Sequence, residues 1–256
     1  MDLYHTALEI NVPEGRLVIE NSWPIPDRDP NKRGVTVEGP VWSHSRGSGD
    51  AYIHLLDHLG IPKVVAVGFS AGGPSVIDLA LRYPSRVSGL VLLSARLPGL
   101  LKPNLKLKPI LHFVFGADRF FWVYKQLMPK TYAQMMGVPK TYDMSTADHD
   151  VFDPIAQSFF PLKPRQEGAT FDGFISNPAV DRLPLEDISM PVPLVHSTDD
   201  PLALYTSAVA AARRIPQVDF VTMPAGGHLF LGHTTEVRHR VERFIELITS
   251  DQRVPV

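Results

Sequence analysis

Ser70 stands in Gly68-Phe69-Ser70-Ala71-Gly72, directly after the apolar run Val64-Val65-Ala66-Val67 and before a helix-like stretch from Gly73 to Tyr83. A serine at a sharp strand-to-helix turn is in the setting of a nucleophile. Glycines two residues to either side let the backbone approach its neighbours where a Cβ would clash, and the helix that follows points free N–H groups at any anion forming there. A glycine-rich turn with a solvent-facing serine has the same local pattern, so the chemistry depends on what else the chain supplies. A serine hydroxyl is a poor nucleophile until a base takes its proton, and that base is oriented by a carboxylate that also stabilises the imidazolium. Both partners occur late in the chain. Leu194-Val195-His196-Ser197-Thr198-Asp199-Asp200 ends a strand-like run with two adjacent carboxylates, and Pro224-Ala225-Gly226-Gly227-His228 places a histidine in a glycine-rich turn after the next run. Of the ten histidines, His228 is preferred by that turn and by its place in the chain; His233 is its rival, and His112, His149 and His239 have no motif around them.

Such residues meet only if the chain folds them to one edge. From Val64 onward, short β-type runs alternate with helix-period segments, the pattern of a parallel sheet with helices packed across it. Val64 to Phe69 is the first clear strand. A helix from Ala71 to Tyr83 puts Val76, Leu79, Ala80 and Tyr83 on one face, and Pro84 stops it. Further strands are expected at Gly89 to Ser94, Val192 to His196 and Val218 to Met223, with helices at Ala203 to Arg214 and about Thr234 to Thr249. Between Pro98 and Pro191 helix-like apolar clusters are broken by prolines: Leu107 to Phe115, Phe120 to Met128, Tyr132 to Met136 and Ile155 to Phe160. The expected division is an atypical segment 1–49, a core made of 50–97 and 191–256, and a helical cap or lid inserted at 98–190. A cap of this kind folds over the strand ends, where open α/β sheets bind ligands.

Composition narrows the partners. The chain has 256 residues, 44 % of them apolar, enough for one large core with a small accessory part. A formal charge of -2 with interspersed signs argues against a nucleic-acid binder and points to a small-molecule substrate. With no cysteine, disulfides, thiolate catalysis and Cys-type zinc sites are excluded. No basic start with a continuous apolar stretch precedes Pro13, and no apolar span is long enough for a membrane, so a cytoplasmic location without membrane partners is the default expectation. Oligomeric state is left open.

From Asp50 onward, about four fifths of the chain, the sequence resembles the α/β-hydrolase fold family of the esterase and lipase-like type with a helical cap. The residues that carry the resemblance are Tyr52-Ile53-His54-Leu55-Leu56-Asp57-His58-Leu59-Gly60-Ile61 before the nucleophile strand, Leu81-Arg82-Tyr83-Pro84-Ser85-Arg86-Val87 after it, and Gly226-Gly227-His228-Leu229 near the end. The order serine, acid, histidine is the one that family requires. Its His-Gly-x-x-Asp pattern, here His196-Ser197-Thr198-Asp199-Asp200, selects Asp200 over Asp199 as the acid. The resemblance implies an α/β fold with a mostly parallel sheet, a Ser70–His228–Asp200 triad, carboxylic ester hydrolysis as the default among the ester, lactone, amide and C–C cleavages of the family, and no metal or organic cofactor, while the aromatic and aliphatic cap segment suggests a small hydrophobic substrate.

The developing oxyanion of acyl transfer needs two donors. One is the Ala71 backbone N–H. The family takes the other from a His-Gly loop after an earlier strand, and no His-Gly pair precedes Ser70. The first fifty residues read as too few and too polar for the usual early strands; Leu17 to Pro24 is the best substitute, with Asn21 and Ser22 in place of His-Gly. Losing one donor costs about a hundred- to thousandfold in rate, so a non-catalytic protein of the same fold, binding a small hydrophobic ligand or a partner, is the competing reading. A chain too short to fold stably is a third.

Overall fold

Apolar runs mark strands covered on both faces, and the computed structural model sets the strands they open side by side in one sheet. It describes residues 52–53, 56–57, 59–99, 117–160, 162 and 180–251, together with the backbone of 6–12 and 15–20. In chain order the elements are β1 (Thr6–Val12), β2 (Gly15–Glu20), β3 (Val64–Phe69), α1 (Gly72–Arg82), β4 (Val87–Leu93), α2 (Asp118–Leu127), α3 (Pro129–Met135), α4 (Thr146–Ser158), β5 (Val192–Ser197), α5 (Tyr205–Ala212), β6 (Val218–Met223) and α6 (Thr234–Asp251). One sheet runs β2-β1-β3-β4-β5-β6; β3 to β6 are parallel, and β1 is antiparallel to both β2 and β3.

Alternate residues of the central strands enter different cores. Val64, Ala66, Leu90, Leu92 and Leu194 pack with Val76, Ile77, Leu79 and Ala80 of α1 and with Ala208 and Ala211 of α5. Val65 and Val91 pack instead on Ile245 of α6, with Val241, Phe244 and Ile248 around them. Helices on both faces therefore allow β3 to be apolar at every position and β4 to be so from Gly89 on, while the Ser88 hydroxyl donates to Val64 O. At Gly89 the approach of α6 leaves no room for a side chain, since a Cβ there would meet Phe244 Cζ at 2.7 Å. Among the described residues no helix is long and apolar enough to cross a membrane.

Two expectations are corrected. The N-terminal region supplies strands after all: Thr6–Val12 alternates Leu8, Ile10 and Val12 with polar residues, and it pairs with both β2 and β3, the strand that leads into Ser70. The helix expected from Ala203 starts at Tyr205 instead, because the backbone of Leu204 before it is extended, at φ -67° and ψ 130°. Between β4 and β5 the described helices are α2, α3 and α4, near the expected segments except that α4 begins earlier, at Thr146. Its start is a capping box in which Ser145 Oγ accepts from the Asp148 N–H and the Asp148 carboxylate accepts from the Ser145 N–H. Leu107 to Phe115 lies outside the described residues.

Candidate active site

The strand β3 ends because Ser70 turns its backbone to φ +52°. For a residue with a Cβ this left-handed conformation costs about 1–2 kcal/mol, and the surrounding hydrogen bonds hold it. The Ser70 N–H donates to Leu93 O (3.1 Å), while Ser70 O accepts from the N–H groups of Gly73 (3.1 Å) and Arg96 (2.8 Å). Glycine is required where α1 leaves the sheet: a Cβ on Gly68 would lie 2.4 Å from Val76 Cγ2, and one on Gly73 would lie 2.8 Å from Ala95 Cβ. Ala71 is the N-cap of α1, so its N–H belongs to the positive end of the helix.

Asp200 follows β5 and is 5 % exposed. Its Oδ1 accepts from Leu202 N (2.8 Å) and Ala203 N (2.9 Å), and its Oδ2 faces His228 Nδ1 at 2.8 Å. An ionised carboxylate only accepts, so Nδ1 carries the hydrogen and the Nε2 lone pair is free to accept from Ser70 Oγ–H, 2.8 Å away. Asp199, the neighbouring carboxylate, does different work: its Oδ1 accepts from the Gly227 N–H at 2.9 Å and shapes the turn before His228. That turn passes through φ +102° at Gly226 and +61° at Gly227, conformations open to glycine. The Phe69 ring packs 5.1 Å from the His228 ring, centroid to centroid. His233, the rival base, stands beside Glu236 instead, 3.9 Å from its Oε2.

His196 lies behind the acid, 1 % exposed, with Nε2–H donating to Ala203 O at 2.7 Å and with Nε2 3.6 Å from Asp200 Oδ2. It thus anchors the turn whose N–H groups grip Asp200. Burial pushes its pKa below the ordinary 6.5, outweighing the opposite pull of the Ala203 carbonyl and Asp200. The unfolded chain therefore binds a proton that the folded protein refuses, and stability falls as pH drops below about 6.5. The expected result is a lower urea midpoint at about pH 5 than at about pH 7.5 in the wild type, with a shallower dependence in His196→Gln. Equal pH slopes in the two proteins would exclude this role.

Ser70, Asp200 and His228 are thus brought together, as is Ala71 beside Ser70. Asn21 lies outside the described residues. The registers Thr6↔Gly68 and Ala7↔Glu20 do carry the end of β2 to the Ser70 edge of the sheet, two strand spacings or about 10 Å from β3. The sequence reading missed Gly137, whose carbonyl accepts from the His228 N–H at 2.9 Å, and Asp148, a buried carboxylate on α4. Only the Ser145-x-x-Asp148 spacing could have signalled the second. A cavity of about 1060 Å³ lies among α2, α3 and α4, with Tyr132, Val138, Pro139, Tyr142 and Phe152 in its wall; neither Ser70 nor His228 lines it.

A strand-to-helix turn carrying a serine, with an acid and a histidine from later loops at the same sheet edge, defines a class. The family model for the alpha/beta hydrolase fold matches residues 48–232, and the chain belongs to that family. It is similar to an uncharacterized hydrolase, YcgS, of Bacillus subtilis, 29 % identical over 190 residues that cover 70 % of this chain and 66 % of the relative, just under two thirds of its length. Among solved structures it is similar in fold to a thermophilic esterase from Thermogutta terrifontis (TM-score 0.57, 21 % identity, covering 78 % of this chain and 71 % of that one). It is likewise similar to a bromoperoxidase from Bacillus anthracis (TM-score 0.58, 18 % identity, covering 77 % and 72 %).

Proposed function

We propose that the protein is a serine hydrolase that cleaves a small, hydrophobic carboxylic ester through an acyl-enzyme on Ser70, with residues 98–190 as its cap. The observation that carries this reading is the unbroken chain of short contacts from Ser70 Oγ to His228 Nε2 and from His228 Nδ1 to Asp200, both at 2.8 Å. Ser70 Oγ attacks the carbonyl carbon while His228 Nε2 takes its proton, and Asp200 stabilises the imidazolium. The oxyanion forms beside the Ala71 N–H, with Asn21 as the proposed source of the second donor. The imidazolium then protonates the leaving alcohol. Water, deprotonated by the same nitrogen, attacks the acyl carbon and releases the acid and Ser70. Every proton in the cycle passes through His228, so the chemistry calls on no metal or organic cofactor.

The preference for an apolar acyl group follows from the surroundings. Phe69 lies against a core of Phe121, Tyr132, Phe152, Leu229 and Leu231 that joins the cap helices to the histidine loop. The test is reaction of the purified protein with a fluorophosphonate, read by intact mass and peptide mapping. One adduct per chain, on the Ser70 peptide, is expected; a folded protein that takes up no adduct would establish the non-catalytic reading.

A further inference from the structure

His228 is held from two sides, and only one of them is the sheet. Its ring meets Asp200, Ser70 and Phe69, but its backbone N–H donates to Gly137 O in the loop that follows α3. The two segments touch so closely that neither admits a side chain: a Cβ on Gly137 would lie 2.3 Å from His228 Cβ, and one on Gly227 would lie 2.3 Å from Gly137 O. Further along the same loop a second contact repeats this. Gly232, at φ +75°, has the Tyr142 hydroxyl where a Cβ would come within 2.9 Å of it. That hydroxyl donates to Asp148 Oδ2 at 3.2 Å, and the same oxygen accepts from Ser145 N–H (2.9 Å) and Ser145 Oγ–H (2.8 Å). Asp148 is 5 % exposed. Burial alone would raise its pKa; donation from Ser145, Tyr142 and the Gly232 N–H outweighs this and holds it below the ordinary 3.8.

We propose that Asp148 is a positioning residue for His228: with Tyr142 it fixes the Gly226–Gly232 turn against the cap, so that the imidazole meets Ser70 in register. This rests on reading His228 as the base. A capping box needs Ser145 and Asp148 alone; it has no use for the Tyr142 hydroxyl or for its seat on Gly232. Nor does it require a carboxylate shielded from water. The arrangement instead makes the cap part of the support of the base, and a misplacement of about 1 Å there is worth up to about a hundredfold in rate.

Three variants separate the roles. Tyr142→Phe removes the hydroxyl seated on Gly232 and leaves the capping box and the Gly232 N–H bond to Asp148; Ser145→Ala removes the Oγ half of the box and leaves both ties to the histidine loop; Asp148→Ala removes the box and both ties. The readouts are the second-order rate of fluorophosphonate labelling and, without any probe, the downfield proton resonance of His228 Nδ1–H. Labelling is expected to slow about tenfold in Asp148→Ala and at least about threefold in Tyr142→Phe, with the resonance broadened or shifted in both. Ser145→Ala is expected to melt earlier yet label within about twofold of the wild type, its resonance unmoved. If Asp148→Ala does not fold, Tyr142→Phe decides. A wild-type protein that fails to label overturns the catalytic reading, and the resonance still answers for the positioning role. Wild-type labelling in Tyr142→Phe with an unmoved resonance overturns the proposal.

Discussion

Ser70→Ala is expected to lower the turnover of short aryl esters by about 10⁴- to 10⁶-fold and to abolish fluorophosphonate labelling, with the fold intact. The size follows from what is removed. Among the described residues the Ser70 hydroxyl is the atom that the His228 Nε2 lone pair faces, at 2.8 Å, so without it the proposed base is left with water to activate. A loss of that order corresponds to about 5–8 kcal/mol of transition-state stabilisation. The fold should not suffer, because Ser70 is held by its backbone, through bonds to Leu93, Gly73 and Arg96 that alanine keeps. Ser70→Gly sharpens the test. It is expected to be equally inactive but more stable by about 1 kcal/mol, since glycine adopts φ +52° without the Cβ penalty that serine bears there. Chemical denaturation of the three proteins beside their esterase rates checks both halves. Turnover in Ser70→Ala at the wild-type rate would remove Ser70 from the mechanism.

The features legible in the sequence are those set by local pattern. Val64 to Phe69 and Val218 to Met223 match β3 and β6 residue for residue, because runs rich in β-branched and apolar residues between turn residues leave a parallel strand little choice of boundary. The turn at Ser70 could be read because its glycines answer steric contacts within a few residues, as Gly68 does with Val76. What escaped is long-range. The strand at Thr6–Val12 is hard to read because the first fifty residues look polar as a whole, and its partner strand β3 lies about fifty residues further on. Gly137 and Asp148 act on His228 across a sequence gap that no periodicity records, through a backbone carbonyl in one case and a hydroxyl in the other. The choice between Asp199 and Asp200 came from family resemblance alone; the reason for it is geometric, one carboxylate turning to the Gly227 N–H and the other to the imidazole.

That division of labour predicts opposite results from the same change at adjacent positions. In Asp200→Asn the amide oxygen of the replacement still accepts the Leu202 and Ala203 N–H groups, so the turn is kept. Its NH₂ group then points at His228 Nδ1, where the carboxylate had accepted. An amide nitrogen only donates. The imidazole must therefore shift its hydrogen to Nε2, which now donates to Ser70 Oγ and is unable to take its proton. The same change in a serine-protease triad lowers kcat by about 10⁴-fold with the geometry intact, and a loss of that order is expected here with KM little altered. Asp199→Asn meets no such problem, because the Gly227 N–H still donates to the amide oxygen, though more weakly than to a carboxylate. Its turnover is expected to stay within about tenfold of the wild type, with the cost showing as a modest loss of stability from a weaker hydrogen bond. Equal losses in the two variants would mean that the carboxylates act as one charged unit, and a larger loss from Asp199→Asn would reverse their roles. With each rate measured beside a melting curve, the tautomer argument stands only if Asp200→Asn is folded, slow and still able to bind substrate.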